Sequence, residues 1–289
     1  MYRDKITACV VLNYNDFVQT SAFIEALSGY HALDYIIVVD NCSTDQSFDM
    51  LSKYESDRVI IRQSQKNGGY GYGNNYGVSI AKNEYAADYI FISNPDVRFG
   101  ESIISSFIDA FLMDNNIAVV SAMQINGYSN KEIKNCCWRI PTYGDYLRSS
   151  LLMLGRLNDH RYDLDRSKEM QEVGCVPGAF LAVDADKFAL IGGYDERIFL
   201  FCEESTLGYK VKQYGFKTVI LTNQYYYHYH STSIKKSVPK ELSRHKMILR
   251  SRMFYISNYL QVSKFKQNMA RFIFKCSVAE YALLYFVKK

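Results

Sequence analysis

The segment YIFISNPD, at residues 89–96, decides the fold that we expect for this chain. Its first four residues form a short apolar run typical of a buried strand, and the carboxylate of Asp96 follows where that strand ends. A second apolar run, at residues 35–39, ends in the same way at Asp40. A buried carboxylate is costly unless it binds a partner, and ligands of open α/β sheets collect at the carboxyl ends of strands. The two aspartates therefore predict a nucleotide site with a metal ion, although a turn or helix cap explains each one singly.

Strand-like and helix-like segments alternate through the first half of the chain. We predict strands at residues 6–12, 35–39, 59–62 and 89–92. Helices are predicted between them, at residues 17–27, 45–54 and 75–82. Alternation at this spacing predicts parallel strands joined by right-handed crossovers. The fold class is therefore α/β, with a mostly parallel central sheet flanked by helices.

The second half of the chain is less regular. Residues 124–172 are polar and mixed, and they predict no element. Residues 240–287 read as mainly helical, which predicts a C-terminal helical extension. The other predicted elements are strands at 117–123, 176–184 and 218–221 and helices at 102–113 and within 199–214.

The composition limits the classes of protein to which this chain can belong. The chain has 289 residues, 48% of them hydrophobic, which is enough for one large domain with an extension. Its seven cysteines are odd in number and form no CxxC pair, so we expect a reducing cytoplasm rather than a disulfide framework or a zinc site. The N-terminal residues lack the pattern of a signal peptide, and no run of about 20 uncharged apolar residues predicts a spanning helix.

Charge divides the chain near residue 235. Residues 235–289 hold 13 lysines and arginines and two acidic residues, whereas the rest is net acidic. We therefore predict a domain at 1–235 and a basic helical extension at 236–289. The basic and aromatic character favours a helix, near 272–287, that lies on a membrane surface; the alternative is a helix packed on the domain with a solvated basic face. Nucleic-acid binding is not expected, because no recognised motif accompanies the charge.

Several polar or glycine-rich strings follow or join the predicted strands. In the glycine-rich string at 67–75, the glycines allow a backbone to approach a ligand closely, and a following helix N-terminus favours a phosphate. A flexible glycine turn is the alternative, and the string is neither a Walker loop nor a good dinucleotide fingerprint. The strings are VLNYN (11–15), VVDNCSTD (38–45), NGGYGYGNN (67–75), GAF (178–180), IGGYDE (191–196), FLFCEESTL (199–207) and YHYHSTS (227–233).

In this order, the strings resemble the motifs of the inverting glycosyltransferases of family 2, which have the GT-A fold. The resemblance covers residues 5 to about 235, and it is greatest to rhamnosyltransferase-like and galactofuranosyltransferase-like enzymes of bacterial surface polysaccharide biosynthesis. It implies transfer of a sugar from a UDP- or dTDP-linked donor to a saccharide acceptor. Residues 1–100 would form the nucleotide-sugar half of the domain, and residues 101–235 the acceptor half.

The resemblance also implies a donor site and a metal site. Asp96 would bind a divalent cation, Mg²⁺ or Mn²⁺, that bridges the two phosphates of the donor. Asn94 stands in the first acidic position of the family's DxD element. The second metal ligand would be His228, with His230 as the alternative. The implied donor-binding residues are Asn13, Asp40, Asn67, Gly68, Asn74, Asn94 and Asp96.

Glu204 falls where the family has its catalytic base, the group that removes a proton from the acceptor hydroxyl. The family usually shows Glu-Asp, one residue, then Asp-Leu. Here Glu204 replaces the aspartate of the pair, and Thr206 replaces the later aspartate. Glu203, Gly178 and Ala179 are implied on the acceptor side. The alternative is an acidic pair that is stabilised by the helix dipole at a helix N-terminus.

Two other functions stay open. The residues at Asn94, Glu204 and Thr206 favour a catalytically weak or silent scaffold or binding protein that has kept the fold. A nucleotidyltransferase is less favoured, because residues 12–16 lack a glycine-rich loop with Lys or Arg. The expected partners are a nucleotide-sugar donor, a lipid-linked saccharide acceptor and a membrane surface, and a homodimer is compatible with the sequence. The expected location is cytoplasmic, peripheral at the inner face of the cell membrane.

Overall fold

The computed structural model describes residues 1–134, 136–151, 162–229 and 240–287. In its first half, four parallel strands lie in the order β3-β2-β1-β4. Most of their residues are buried, which explains the nearly continuous apolar runs in the sequence. The strands are β1 (Thr7–Asn13), β2 (Tyr35–Asp40), β3 (Val59–Gln63) and β4 (Tyr89–Ser93). The helices between them are α1 (Phe17–Ser28), α2 (Ser47–Leu51), which continues as a 3₁₀ turn (Ser52–Tyr54), and α3 (Tyr70–Asn83).

The same sheet continues into the second half of the chain, in the order β4-β9-β6-β10-β5. Strand β9 runs antiparallel to both β4 and β6, whereas β6 and β10 are parallel. The predicted α/β architecture is confirmed, but the sheet is mixed rather than purely parallel. The strands are β5 (Val97–Phe99), β6 (Ile117–Asn126), β7 (Lys131–Glu132), which pairs with β6, β8 (Met170–Val173), which pairs with β10, β9 (Phe180–Asp184) and β10 (Lys217–His228).

Six further helices surround this half of the sheet or follow it in the described part of the chain. The helix predicted at 102–113 is confirmed, and residues 240–287 are mainly helical as expected. No helix in the described ranges is both long and apolar enough to cross a bilayer. The helices are α4 (Ser102–Met113), α5 (Tyr143–Ser150), α6 (Ala185–Leu190), α7 (Glu203–Gln213), α8 (Glu241–Asn258) and α9 (Lys264–Val287).

Apolar side chains form a core on each face of the sheet. Alternation along β1 sends Cys9 and Val11 to one core and Ala8 and Val10 to the other. A third cluster joins α5, α8 and α9 through Tyr146, Leu249, Tyr255, Ile256, Ala270 and Phe274. The C-terminal helices are therefore packed on the rest of the chain by an apolar core of their own. The domain boundary at residue 235 stays a prediction, since residues 230–239 lie outside the described ranges.

Three elements differ in extent from the sequence prediction. Helix α3 begins at Tyr70 rather than near residue 75, β9 begins at Phe180 rather than at 176, and β10 runs to His228 rather than ending at 221. Two of the glycines that predicted a turn, Gly71 and Gly73, lie inside α3, and Gly73 and Gly77 let the helix approach β1. A Cβ atom at Gly77 would lie 2.5 Å from Val10 Cγ1, and one at Gly73 would lie 2.3 Å from Leu12 Cδ1. Close packing on the sheet therefore outweighs the low helix propensity of glycine.

The close approach of α3 to β1 predicts that Gly77→Ala destabilises the protein. The added methyl group meets Val10 and Val39 side chains in a filled core, and overpacking of this kind costs about 1–3 kcal/mol. The matched control is Gly29→Ala, because a Cβ atom there has nothing within 4 Å and the backbone φ is −80°. Urea unfolding of both variants checks this, and an equal free energy of unfolding in the two variants would contradict the packing role.

Candidate active site

The carboxylate of Asp40 links the ends of the first three strands. Asp40 is fully buried at the end of β2, opposite Asn13 of β1 and Gln63 of β3. Its Oδ1 accepts hydrogen bonds from Asn13 Nδ2 (2.7 Å) and Ser43 Oγ (2.5 Å). Its Oδ2 accepts from the Ser43 backbone N–H and from Gln63 Nε2, both at 3.0 Å. Four donors from the chain satisfy this buried charge and hold the strand ends in place.

The glycine-rich segment is attached to this edge through Asn41. Asn41 Nδ2 donates to Asn67 Oδ1 and to the Gly69 carbonyl, both at 3.1 Å. Gly69 has a φ of +93°, and a Cβ atom there would lie 2.0 Å from the Phe199 carbonyl oxygen, so a side chain is excluded. The next residue, Tyr70, donates its backbone N–H to that same oxygen (3.0 Å). The segment therefore connects the edge that carries Asp40 to the loop that leads into Glu203.

Gly68 and Asn74, which were predicted to bind the donor, lie in or beside the start of α3. A Cβ atom at Gly68 would meet the Tyr72 side chain at 2.4 Å. Asn74 is buried, and its Nδ2 donates to the Tyr70 carbonyl at 2.9 Å. Its Oδ1 is buried without a hydrogen-bond partner in the described part of the chain. These contacts position the first turns of α3 under the glycine-rich segment.

Asp96 and His228 meet where β5 pairs with the end of β10. Asp96 Oδ1 and His228 Nε2 are 3.3 Å apart, and both side chains are largely buried. The other ring nitrogen, Nδ1, lies 2.9 Å from Gln124 Nε2, and Gln124 Oε1 accepts a hydrogen bond from Tyr226 at 3.2 Å. With the amide nitrogen facing Nδ1, the ring proton lies on Nε2 and is donated to Asp96. An amide turned over would accept from Nδ1 instead and would leave the Nε2 lone pair available to a cation.

The donor set at Asp96 and His228 fits a cation that is shared with a substrate. No group of three or more His, Cys, Asp or Glu residues that could hold a metal ion exists within the described ranges. Mg²⁺ and similar cations are often held by one or two protein ligands together with phosphate oxygens. A carboxylate oxygen and an imidazole nitrogen 3.3 Å apart fit such a shared site. His230, the alternative ligand, lies outside the described residues.

Strand β9 brings the acceptor-side residues to the turn at Asn94. The Asn94 backbone N–H donates to the Ala179 carbonyl at 2.9 Å. Beside Ala179, the Gly178 carbonyl accepts from Tyr70 Oη at 2.5 Å, and the Gly178 N–H lies 3.4 Å from Glu204 Oε1. A short chain of contacts therefore connects Glu204 to the turn that carries Asp96.

Glu203 and Glu204 begin α7 after two residues with positive φ, Phe201 and Cys202. Glu203 is 4% exposed and its Oε1 has no hydrogen-bond partner within the described part of the chain. Burial, together with the charge of Glu204, raises the pKa of Glu203 to about 8. Burial also raises the pKa of Glu204, which is partly exposed. A protonated Glu203 beside an ionisable Glu204 is the state that this arrangement favours near neutral pH.

Thr206, which departs from the family pattern, has a local role. It is fully buried, and its Oγ1 donates to the Glu203 carbonyl at 2.9 Å. A hydroxyl that bonds within its own helix adds no charge to the site. Thr206 therefore avoids a third buried carboxylate next to Glu203 and Glu204, which would be costly.

Sequence reasoning missed four residues that shape the site. Gln63 and Ser43 complete the bonds to Asp40, Gln124 contacts His228, and Tyr70 contacts Gly178. Gln63 and Gln124 carry a signal that could have identified them, since each is a polar residue following an apolar strand run. Tyr70 carried no such signal, because its partner is 108 residues away.

The burial of Glu203 predicts a pH-dependent loss of stability. The folded chain holds the Glu203 proton up to about pH 8, whereas the unfolded chain releases it near 4.5. The unfolded state therefore binds fewer protons between these values, and the free energy of unfolding falls as pH rises, by at most about 1.4 kcal/mol per pH unit. Glu203→Gln removes this term and becomes progressively more stable than wild type from pH 5 to 8. Urea unfolding across that range checks it, with the exposed Glu169→Gln as control; parallel profiles for all three proteins would contradict it.

Comparison with known proteins finds a similar enzyme. The chain is 23% identical, over 235 residues, to the N-acetylglucosaminyl-diphospho-decaprenol L-rhamnosyltransferase of Mycobacterium tuberculosis, a match that covers 73% of this chain and 71% of the relative.

Solved structures share the fold. The mannosyltransferase PcManGT from Pyrobaculum calidifontis, in complex with GDP-Man and Mn²⁺, matches with a TM-score of 0.60 at 12% identity, over 96% of this chain and 74% of that one. GalNAc-T7 with UDP, GalNAc and Mn²⁺ matches with a TM-score of 0.59 at 15% identity, over 96% and 57%. The S. aureus protein TarS, residues 1–349, matches with a TM-score of 0.54 at 14% identity, over 94% and 71%. These neighbours are glycosyltransferases with the GT-A fold.

The sequence model of glycosyl transferase family 2 matches residues 9–179, which is more than half of the chain. The match spans the edge that carries Asn13, Asp40 and Asp96 and ends at Ala179, where β9 meets the Asn94 turn. This chain is a glycosyltransferase that belongs to glycosyl transferase family 2.

Proposed function

We propose that the protein transfers a sugar from a nucleotide-sugar donor to a saccharide acceptor, with inversion at the anomeric carbon. The observation that carries this proposal is the short chain of contacts between Glu204, the proposed base, and Asp96, the carboxylate proposed to lie beside the donor phosphates. Glu204 contacts Gly178, and the neighbouring Ala179 bonds to the turn that holds Asp96. An acceptor hydroxyl at Glu204 and a diphosphate at Asp96 would therefore bracket one sugar ring.

The donor lies over the carboxyl ends of β1 to β4. Asn13 and Asp40 form the floor of the nucleoside site, and Asn67, Gly68 and Asn74 shape the wall beside it. A UDP- or dTDP-sugar is the proposed donor. The relative from M. tuberculosis is named an L-rhamnosyltransferase, which supports dTDP-rhamnose as the first donor to test.

Glu204 is the proposed catalytic base. It takes the proton of the acceptor hydroxyl as that oxygen forms a bond to the anomeric carbon, and the bond to the nucleoside diphosphate breaks on the opposite face. Burial raises the pKa of Glu204, so its carboxylate is a stronger base than that of an exposed glutamate. Mg²⁺ or Mn²⁺ held by Asp96 and His228 would offset the charge of the departing diphosphate.

The proposed acceptor is a lipid-linked saccharide of bacterial surface polysaccharide biosynthesis. The name of the M. tuberculosis relative specifies a sugar carried on diphospho-decaprenol. Such an acceptor stays at the membrane, so the enzyme would work at the inner membrane face. The basic C-terminal segment favours that location.

A donor screen with two variants tests the proposed reaction. We expect one UDP- or dTDP-sugar to release its nucleoside diphosphate in the presence of Mg²⁺ or Mn²⁺. Glu204→Gln should lower turnover about 10²–10⁴-fold because the base is lost, while thermal stabilisation by the donor is kept. Asp96→Ala should lose both turnover and metal-dependent stabilisation by the donor.

The control is the exposed Glu169→Gln, which leaves the acidic pair intact and should retain the turnover. Stabilisation by a donor with no transfer to any tested saccharide, in wild type and variants alike, would favour the silent scaffold that Asn94 and Glu204 leave open. No response to any donor would overturn the roles of Asp40 and Asp96.

Gln124 is predicted to set the metal affinity through His228. Gln124→Leu removes the amide that faces Nδ1 of His228. Turned over, that amide accepts the Nδ1 proton and leaves Nε2 to the cation, and losses of such supporting bonds typically weaken metal binding about 10–100-fold. Calorimetric titration of Mn²⁺ in the presence of UDP measures the effect. The control is Ser121→Ala, which removes another buried hydrogen bond from the same strand. Equal affinities in the two variants would contradict this role for Gln124.

A further inference from the structure

Helix α9 carries an apolar stripe that faces away from the rest of the protein. Phe265, Phe272 and Leu283 are 78%, 67% and 68% exposed, and Met269 is 38% exposed. Cys276 and Ala279 are exposed between them. The spacing alternates between four and three residues, which places all six side chains on one face of a helix. Large exposed side chains in a continuous row indicate an interaction surface rather than chance exposure.

The opposite face of α9 is anchored. Ala270, Phe274 and Ser277 are buried against α5 and α8. Ser277 Oγ lies 2.9 Å from His245 Nε2 and donates to the Ser150 carbonyl at 2.5 Å. The helix is therefore held in one orientation, and the apolar stripe is left outward by packing rather than by fraying.

Basic side chains lie on both sides of the stripe. At 100° per residue, Lys266 lies on one side, and Lys264, Arg271 and Lys275 lie on the other. All four are exposed, and none makes an ion pair with any residue that the structure describes. Glu280 is the single acidic residue among the described side chains of α9. By the same count Glu280 lies on the side of Lys266, so the surface is apolar in its centre and its excess of positive charge lies along the edge with Lys264, Arg271 and Lys275.

We propose that this face of α9 docks on an anionic lipid bilayer, lying flat in the plane of the headgroups. The apolar side chains would enter the boundary between headgroups and acyl chains, and the flanking cations would contact lipid phosphates. A second copy of the chain is a poorer occupant, because pairing two such stripes would bring rows of like charge together. The inference rests on the proposed membrane location and assigns it to a surface and a lipid class.

Docking through α9 would orient the active site. Helix α8 packs on α9, and its Ser251 Oγ donates to the Leu200 carbonyl (2.7 Å). Tyr259, the residue after α8, donates from Oη to Asp195 Oδ2 (2.7 Å). Leu200 lies three residues before Glu203 in the chain. Helix α9, the proposed bilayer contact, is thus joined to the loop before Glu203 through α8, which suits an acceptor whose lipid stays in the membrane.

Co-sedimentation of the full chain with lipid vesicles tests the proposal without a donor or an acceptor. We expect binding to phosphatidylcholine vesicles with about 30% phosphatidylglycerol, weak binding to phosphatidylcholine alone, and weakening by salt. Phe265→Ser with Phe272→Ser should lower the partition coefficient about tenfold or more. Lys266→Gln and Lys275→Gln should each lower it about fivefold at low salt.

Controls are Met113→Ser and Lys131→Gln, which change exposed residues on α4 and β7 and should bind as wild type does. A double Phe variant that is folded, as judged by its melting temperature, yet binds like wild type would overturn the assignment to α9 and leave the membrane location intact. A wild-type chain that binds neither vesicle would overturn both. If light scattering instead shows a dimer that the double variant loses, the stripe belongs to a second copy of the chain. None of these outcomes depends on transferase activity, so the proposed reaction is tested separately.

Discussion

The site depends on the position of β9 between β4 and β6. This strand is antiparallel to both of its neighbours, and it delivers Gly178 and Ala179 to the carboxyl edge of the parallel strands. The hydrogen bond from Asn94 to Ala179 then joins the two halves of the chain at that edge. If β9 entered in the parallel sense, its N-terminal end would lie at the opposite edge of the sheet, and Glu204 would be far from the turn that holds Asp96.

The two buried acids of the site, Asp40 and Glu203, differ in their hydrogen bonding. Asp40 receives four hydrogen bonds from the chain, so its charge is stabilised without a ligand and the strand ends become rigid. Glu203 has an oxygen without a partner, and burial raises its pKa to about 8. Asp40 therefore supports the architecture, whereas the buried Glu203 lowers the free energy of unfolding at the start of α7. Groups with such perturbed pKa values often occur at functional sites.

The C-terminal helices pack on the rest of the chain, and this packing leaves room for the proposed membrane contact. Their apolar cluster packs on α5 and reaches Cys202 and Tyr209, beside the acidic pair. At the same time, α9 leaves Phe265 and Phe272 exposed between basic side chains. One helix can pack on the protein and face a membrane because its buried and exposed stripes lie on opposite sides.

The sequence by itself determined the local elements and the family. Short apolar runs ending in Asp40 and Asp96 predicted the parallel strands and the polar edge, because strand ends and their side chains are governed by near neighbours. The start of α3, the end of β10, the antiparallel entry of β9, and the contacts of Gln124 and Tyr70 were decided by the tertiary structure. Gly71 and Gly73 indicate a turn when only local propensity is considered, and they belong to a helix that packs closely on Tyr194 and on Leu12 of β1. Packing partners that are distant in the chain supply that information, and no local pattern encodes it.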